Sequence, residues 1–130
     1  MADRYAISEE SELWRAVRRA RRGAIRGVYM LKHARQGNTL TVRLVGELDQ
    51  DSATRVRQEL DDLIADVRVK HLVLDMKELT FMDSSGIGVV IGRYRTLAQR
   101  GGGVAVRGES PHVQRIMKLS GLYSILENSR

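Results

Sequence analysis

The residues with the clearest chemical potential are Asp83, Ser84 and Ser85, which separate an apolar segment ending at Met82 from a stretch of helical spacing. The first N–H groups of a helix lack intrahelical partners, and the helix dipole adds partial positive charge there, so a helix start favours an anion. A phosphate on a serine hydroxyl would be held well at this point. The run is therefore suited to a serine that is modified. Taken alone, it favours the simpler alternative that one serine only caps the helix, which contributes about 1 kcal/mol.

The segment before this run predicts a strand, a helix and a second strand. A Gly37-Asn38 turn introduces residues 40–44, whose alternation of apolar and polar side chains predicts a strand with a partner around residues 29–34. Residues 53–67 carry apolar side chains at helical spacing behind Asp51 and Ser52 as candidate caps, so a helix should end near Asp66. The continuous apolar run at residues 72–74 is typical of a central strand covered on both faces.

The segment after the serines predicts two more helices and two more strands. A helix should continue to about Arg100, with a strand at residues 104–106 and a second helix opened by Ser110 and Pro111. The inward residues of that second helix would be Val113, Ile116 and Met117, with Gly121 closing it and a last short strand at Tyr123–Leu126. Strands that alternate with helices imply right-handed parallel crossovers. The expected fold is α/β, with a mixed, mainly parallel β-sheet and helices packed on it.

Composition limits the remaining possibilities. A chain of 130 residues with 42% hydrophobic content suits one compact domain, and without cysteine it has no disulfide framework or thiolate site. No apolar run approaches the roughly 20 residues of a membrane span, and residues 1–29 lack the apolar stretch of a signal peptide. We therefore expect no membrane partner and a cytoplasmic location.

Several motifs resemble sites of other kinds but are better explained structurally. In the pattern Gly86-x-Gly88-x-x-x-Gly92 the third glycine stands one place late for a dinucleotide fingerprint, and close helix packing explains it better. Asp49 and Asp51 stand without the further ligands of a metal site, so no metal or cofactor is expected.

Catalysis by this chain is also disfavoured. Ser84 lacks the G-x-S-x-G elbow of a hydrolase, and the candidate bases His33, His71 and His112 each stand where a structural role is favoured. We expect the protein not to be an enzyme.

A longer set of motifs places the serine run in a known context. Gly46-Glu47-Leu48-Asp49, Phe81 to Gly88, Gly92-Arg93-Tyr94, Gly101 to Gly103 and Ser120-Gly121-Leu122 follow one another over residues 30–127. In order and spacing this set resembles the STAS-domain anti-sigma factor antagonists, in particular the sporulation type that acts on the anti-sigma F factor. The implied domain is a STAS domain at residues 30–130.

The resemblance implies a partner switch. In such antagonists the first serine of the Asp-Ser-Ser-Gly motif, here Ser84, is phosphorylated by the anti-sigma factor, which is itself a serine kinase. The unmodified form binds that kinase and frees the sigma factor, and a PP2C-type phosphatase restores the hydroxyl. ATP and magnesium would belong to the kinase partner.

The implied partner-binding residues surround this serine. They are Asp49, Asp83, Ser84, Ser85, Gly86 and Ile87. Ser85 is expected to be the structural member of the serine pair, and Asp49 to help dock or position Ser84, with capping of the next helix as its simpler role. A stress or signalling scaffold of the STAS type with another kinase partner remains an alternative.

Residues 1–29 form a basic extension outside the resemblance. They hold seven arginines against four acidic residues, which gives +3 of the chain's formal charge of +6. Arg15 to Arg26 reads as a basic amphipathic helix, which would allow nucleic-acid binding, although a solvated arm is the simpler interpretation and nucleic acid is not the expected partner. A third hypothesis is that translation starts at Met30. Peptides from residues 1–29 in the native protein would exclude it.

Overall fold

The computed structural model describes residues 30–127, which form five strands and three helices followed by one turn of 3₁₀ helix. In chain order the elements are β1 (Met30–Gln36), β2 (Thr39–Leu48), α1 (Gln50–Leu63), β3 (His71–Asp75), β4 (Leu79–Met82), α2 (Ser84–Ala98), β5 (Gly103–Arg107), α3 (Pro111–Leu119) and the 3₁₀ turn (Leu122–Ser124).

The sheet is mixed and mainly parallel, as the sequence predicts. Its order is β1-β2-β3-β5, with β1 antiparallel to β2 and the other neighbours parallel. The turn between β1 and β2 relies on Gly37, whose φ of 61° is readily adopted only by residues such as glycine. Strand β2 is long enough to pair twice. Residues 39–43 pair with β3, and residues 46–48 pair with β4, with an irregularity between Gly46 and Glu47.

The three helices pack on one face of this sheet. The crossovers β2-α1-β3 and β3-α2-β5 move in the same direction across the sheet, so right-handed connections place α1 and α2 on the same side. Helix α3 joins the same core through Val113 and Met117. The sheet and the first two helices contribute most of the other buried side chains, among them Val42, Leu44, Leu72, Leu74, Val56, Leu60, Val90 and Leu97.

Helix α1 is shorter than predicted and begins at a different cap. It ends at Leu63, and Val67, expected on its buried side, is 67% exposed. The chain turns away at Asp66, whose carboxylate accepts the backbone N–H of Arg68 at 2.9 Å and pairs with its guanidinium and that of Arg35. These contacts with Arg68 and Arg35 hold the pKa of Asp66 well below its usual range. A local turn of this kind competes with helix continuation.

Two further differences lie in the strands. The last predicted strand, Tyr123–Leu126, is wrong, because these residues enter a 3₁₀ turn after Gly121. The hydrogen bond from Glu127 N–H to the Val104 carbonyl, at 2.7 Å, ties the segment to β5 without extending the sheet. Strand β4 was not predicted as a separate strand. Its four residues are too few to show a period.

Helix α2 approaches the sheet most closely at Gly86, which generates a stability prediction. A Cβ at this position would lie 2.6 Å from Met82 Cγ and 3.0 Å from Leu48 Cγ. We therefore expect Gly86→Ala to lower the free energy of unfolding by about 1–3 kcal/mol, the usual cost of overpacking.

The matched control is Gly88→Ala in the same helix, where no atom lies within 4 Å of the added Cβ. That change should raise the free energy of unfolding by up to about 1 kcal/mol, because alanine is the better helix former. Urea unfolding measures both variants. Equal effects at the two positions would contradict the close approach at Gly86.

Candidate functional site at the start of helix α2

The site is built where two parallel strands end side by side. Leu48 at the end of β2 is paired with Met82 at the end of β4, and the Asp83 N–H donates to the Leu48 carbonyl at 3.2 Å. The next residue of each strand is therefore an aspartate beside the other, Asp49 before α1 and Asp83 before α2. Two helix N-termini and their two cap residues thus lie at the same end of the sheet, beyond the carboxyl ends of β2 and β4.

Asp83, and not a serine, caps helix α2. Its backbone is extended, and its Oδ1 accepts the N–H of Ser85 at 2.8 Å. Ser84 is consequently the first helical residue. It is exposed, and within residues 30–127 its hydroxyl makes no hydrogen bond. The alternative in which a serine serves only as the cap is therefore wrong, and the Ser84 hydroxyl is accessible at a helix start.

Ser85 differs from its neighbour in exposure. It is partly buried, and its backbone N–H is the group that Asp83 caps. The cap uses the backbone of Ser85 and not its hydroxyl, so its assignment as the structural member of the pair stays a prediction. Gly86 and Ile87 are buried, Ile87 at 8% exposure within the core, so their visible role is to pack α2 against the sheet. Their contact with a partner stays a prediction.

Asp49 has a structural role of its own in a capping box. Its Oδ1 accepts the Ser52 N–H at 3.0 Å, and its own N–H donates to Ser52 Oγ at 3.0 Å. Asp51 and Ser52 were predicted as the caps, but the cap is Asp49, and Ser52 is the third helical residue, which completes the capping box. The paired strand ends nevertheless place Asp49 and Asp83 at the same end of the sheet as the exposed serine.

An aromatic pair at the border of the site was missed by sequence reasoning. The rings of Phe81 and His112 stack with centroids 5.1 Å apart and an interplanar angle of 17°. His112 Nε2 lies 3.2 Å from the Met82 carbonyl oxygen, where it can donate as N–H, and Phe81 is 37% exposed. No sequence signal links residues that stand in different elements, because only the packing of α3 against β4 brings them together.

The other candidate residues lie apart from any reactive arrangement. His33 is exposed on β1, and His71 Nδ1 lies 3.0 Å from the Glu127 carboxylate. Between residues 30 and 127 there is no group of three or more His, Asp or Glu side chains that could hold a metal ion. No helix in that range is long and apolar enough to cross a membrane. The basic extension, residues 1–29, lies outside the described residues.

Comparison with known proteins gives the context of this site. The STAS domain family model matches residues 30–129. The chain belongs to the STAS domain family. An anti-sigma F factor antagonist from Paenibacillus polymyxa is 46% identical over 87 residues, which cover 67% of this chain and 74% of the relative. An anti-sigma-B factor antagonist from Bacillus subtilis is 30% identical over 95 residues, covering 71% and 83% respectively.

Solved STAS structures agree with the fold. The anti-sigma factor antagonist SpoIIAA in its unphosphorylated form has a TM-score of 0.65 and 29% identity, covering 78% of this chain and 89% of that one. The Bacillus cell fate determinant SpoIIAA in the phosphorylated form has a TM-score of 0.60 and 28% identity, covering 78% and 92%. The STAS fold predicted from sequence is thereby confirmed.

The capping geometry of this STAS domain predicts that Asp83 contributes to stability and that the Ser84 hydroxyl does not. We expect Asp83→Ala to lower the free energy of unfolding by about 0.5–2 kcal/mol, because the Ser85 N–H loses its cap. Ser84→Ala should change it by less than about 0.5 kcal/mol, because the hydroxyl is exposed. Asp83→Asn is the control that keeps a capping side chain. If urea unfolding gives Ser84→Ala a lower free energy of unfolding than Asp83→Ala, Ser84 is the stabilising residue instead.

Proposed function

We propose that this STAS domain is an anti-sigma factor antagonist whose binding is switched by phosphorylation of Ser84. In the unmodified state it binds an anti-sigma factor that is a serine kinase, and so releases the sigma factor for transcription. Phosphate on Ser84 ends that binding. The observation that carries the proposal is the exposed Ser84 hydroxyl at the first position of α2, where Asp83 already performs the capping.

The relatives support this proposal through their names. Curated relatives are antagonists of anti-sigma F and anti-sigma-B factors, and SpoIIAA has been solved in both unphosphorylated and phosphorylated forms. The Asp-Ser-Ser-Gly run stands in this chain at the start of α2. Phosphorylation of a relative makes Ser84, the exposed serine of the run, the residue to test.

The physical basis of the switch is a local change of charge. Phosphate carries close to two negative charges at neutral pH, and at Ser84 it would lie beside the carboxylates of Asp83 and Asp49. In the free protein water solvates these charges. At a packed interface the same dianion would be desolvated next to carboxylates, at a cost of several kcal/mol. Because each 1.4 kcal/mol is tenfold in affinity, a cost of this size weakens binding by about a hundredfold or more without refolding.

The chemistry of the switch belongs to the partners. ATP and magnesium are supplied by the kinase, and a PP2C-type phosphatase removes the phosphate, so this chain is a substrate and an inhibitor rather than an enzyme. The docking surface consists of Asp49, Asp83, Ser84 and Ser85 at the ends of β2 and β4. It is bordered by the exposed ring of Phe81. The cytoplasm is the expected location, since transcription takes place there.

A second candidate function follows from the anti-sigma-B relatives. The same site would then serve a stress or signalling pathway with another kinase partner. The site geometry is common to both, so the identity of the kinase distinguishes them. The nucleic-acid alternative depends on the basic extension and draws no support from the described residues.

The central prediction concerns Ser84. After incubation with ATP, magnesium and the anti-sigma kinase encoded nearest to this protein, intact mass and peptide analysis should place a single phosphate on Ser84. Ser84→Ala should bind the kinase normally but take up no phosphate. Ser84→Asp should bind at least about tenfold more weakly, because one carboxylate provides part of the phosphate charge.

Ser85→Ala is the matched control, with the same hydroxyl removed one residue later. It should still be phosphorylated on Ser84. Phosphate on Ser85 in the unaltered protein, or normal affinity of Ser84→Asp, would refute the charge switch at Ser84 even if the two proteins bind.

A further prediction separates the two roles of Asp49. Asn is as good a cap as Asp, so Asp49→Asn should keep the capping box and change the free energy of unfolding by less than about 0.5 kcal/mol. If the carboxylate also docks the kinase or positions Ser84, this variant should lose about tenfold in affinity or in phosphorylation rate. Unchanged kinetics together with destabilisation by Asp49→Ala would limit Asp49 to its capping role.

A further inference from the structure

The first turn of helix α3 contacts the peptide bond that leads into Ser84. The Met82 carbonyl and the Asp83 N–H belong to one planar peptide unit. Its N–H donates to the Leu48 carbonyl at 3.2 Å. Its carbonyl oxygen lies 3.2 Å from His112 Nε2. This peptide unit is therefore held at both ends, by β2 on one side and by α3 on the other.

The His112 nitrogen is the donor in this contact. A carbonyl oxygen only accepts hydrogen bonds, so Nε2 carries a proton where it meets the Met82 carbonyl. The neutral ring with its proton on Nε2 and the charged ring both satisfy this condition. The contact therefore depends on a donor at this place and not on the charge of the ring.

The ring of Phe81 fixes the orientation of that donor. It stacks on the imidazole of His112 with centroids 5.1 Å apart and an interplanar angle of 17°. Phe81 and Met82 are consecutive residues of β4, so one strand contacts both the face and the edge of the imidazole. Two contacts of this kind favour a single rotamer of His112.

The backbone that carries His112 is also firmly placed. His112 follows Pro111 as the second residue of α3. Ser110 caps this helix, and its Oγ accepts the Val113 N–H at 3.2 Å. Val113 and Met117 anchor the helix in the core, each at 0% exposure. A side chain on such an element holds its partner more precisely than a side chain on a loop.

The position of Ser84 depends on the backbone on either side of it. Within residues 30–127 its hydroxyl makes no hydrogen bond. On the helix side the Gly86 N–H donates to the Asp83 carbonyl at 3.0 Å. On the strand side the nearest support is the peptide unit that His112 and β2 hold between them.

We propose that His112 is a positioning residue for Ser84. Rotation of the Met82–Asp83 peptide unit would turn the backbone of Asp83, which caps α2 and precedes the serine. By restraining that rotation, His112 keeps the exposed hydroxyl in one place. Phosphoryl transfer requires alignment of the attacking oxygen, so a hydroxyl held in place is the better acceptor. This role rests on the proposed function, the phosphorylation of Ser84.

Two substitutions separate the donor of His112 from its ring. His112→Gln places an amide N–H near the position of Nε2 and can keep the bond to the Met82 carbonyl. His112→Phe keeps a ring to stack on Phe81 but has no donor, and His112→Leu is a second variant without one. Arg115→Ala, about one turn further along α3, removes an exposed side chain and is the matched control. Urea unfolding shows which variants are folded.

The first measurement is hydrogen exchange in the free protein. The Asp83 N–H should exchange roughly fivefold to tenfold faster in His112→Phe, about the effect of one lost hydrogen bond. The Arg100 N–H, bonded to the Leu97 carbonyl at 2.9 Å just beyond α2, should keep its rate. His112→Gln and Arg115→Ala should match the unaltered protein. An unchanged Asp83 rate in His112→Phe would overturn the proposal, whatever the kinase does.

The second measurement is the kinetics of Ser84 phosphorylation by the anti-sigma kinase with ATP and magnesium. His112→Phe should lower kcat by about tenfold and change KM by less than about threefold, because docking persists while the hydroxyl is misplaced. His112→Gln should restore most of kcat, which a merely structural role does not predict. An unchanged kcat in His112→Phe refutes the positioning role although Ser84 is phosphorylated. Absence of phosphate from the unaltered protein refutes the proposed function instead, and hydrogen exchange then decides whether His112 positions the serine.

Discussion

The pairing of β4 with the end of β2 is the constraint on which the site depends. A single long strand, β2, holds β3 along its first half and β4 along its last three residues, with an irregular register between Gly46 and Glu47. The shift allows the strand to change partner without a break. Because the two strands are parallel and end together, the helices that follow begin side by side. Ser84 and both cap residues therefore lie at the same end of the sheet.

The caps separate the stability of the domain from the chemistry of the proposed switch. Asp83 accepts a backbone N–H in the first turn of α2. Asp49 accepts one in the first turn of α1, where Ser52 completes the capping box. Ser84 is left with an exposed hydroxyl that the fold does not use. A modification there changes the charge of the surface while the core beneath it, closed by Gly86 and Ile87, stays as it is. The proposed binding switch would therefore have little effect on folding.

The two faces of the sheet divide the molecule into different environments. One face forms an apolar core with three helices, whereas the other combines small or apolar side chains with the buried pair of Arg43 and Asp75. Buried ion pairs require excellent geometry and further hydrogen bonds to offset desolvation. Asp75 meets part of this need by also accepting the Lys77 N–H at 3.1 Å.

The sequence by itself determined the features that local chemistry controls. The strand and helix alternation, the Gly37 turn, the Ser110 cap before Pro111 and the position of Ser84 at a helix start all follow from neighbouring residues. Only the tertiary structure decided which aspartates cap α1 and α2, that β4 is a strand, that residues 122–124 turn, and that Phe81 meets His112. The pairing of β4 with β2 and the stacking of Phe81 on His112 depend on contacts between segments far apart in the chain. The cap hydrogen bonds are local, but the paired ends of β2 and β4 fix where each helix begins. The periodicity of a short segment carries no information about such a partner.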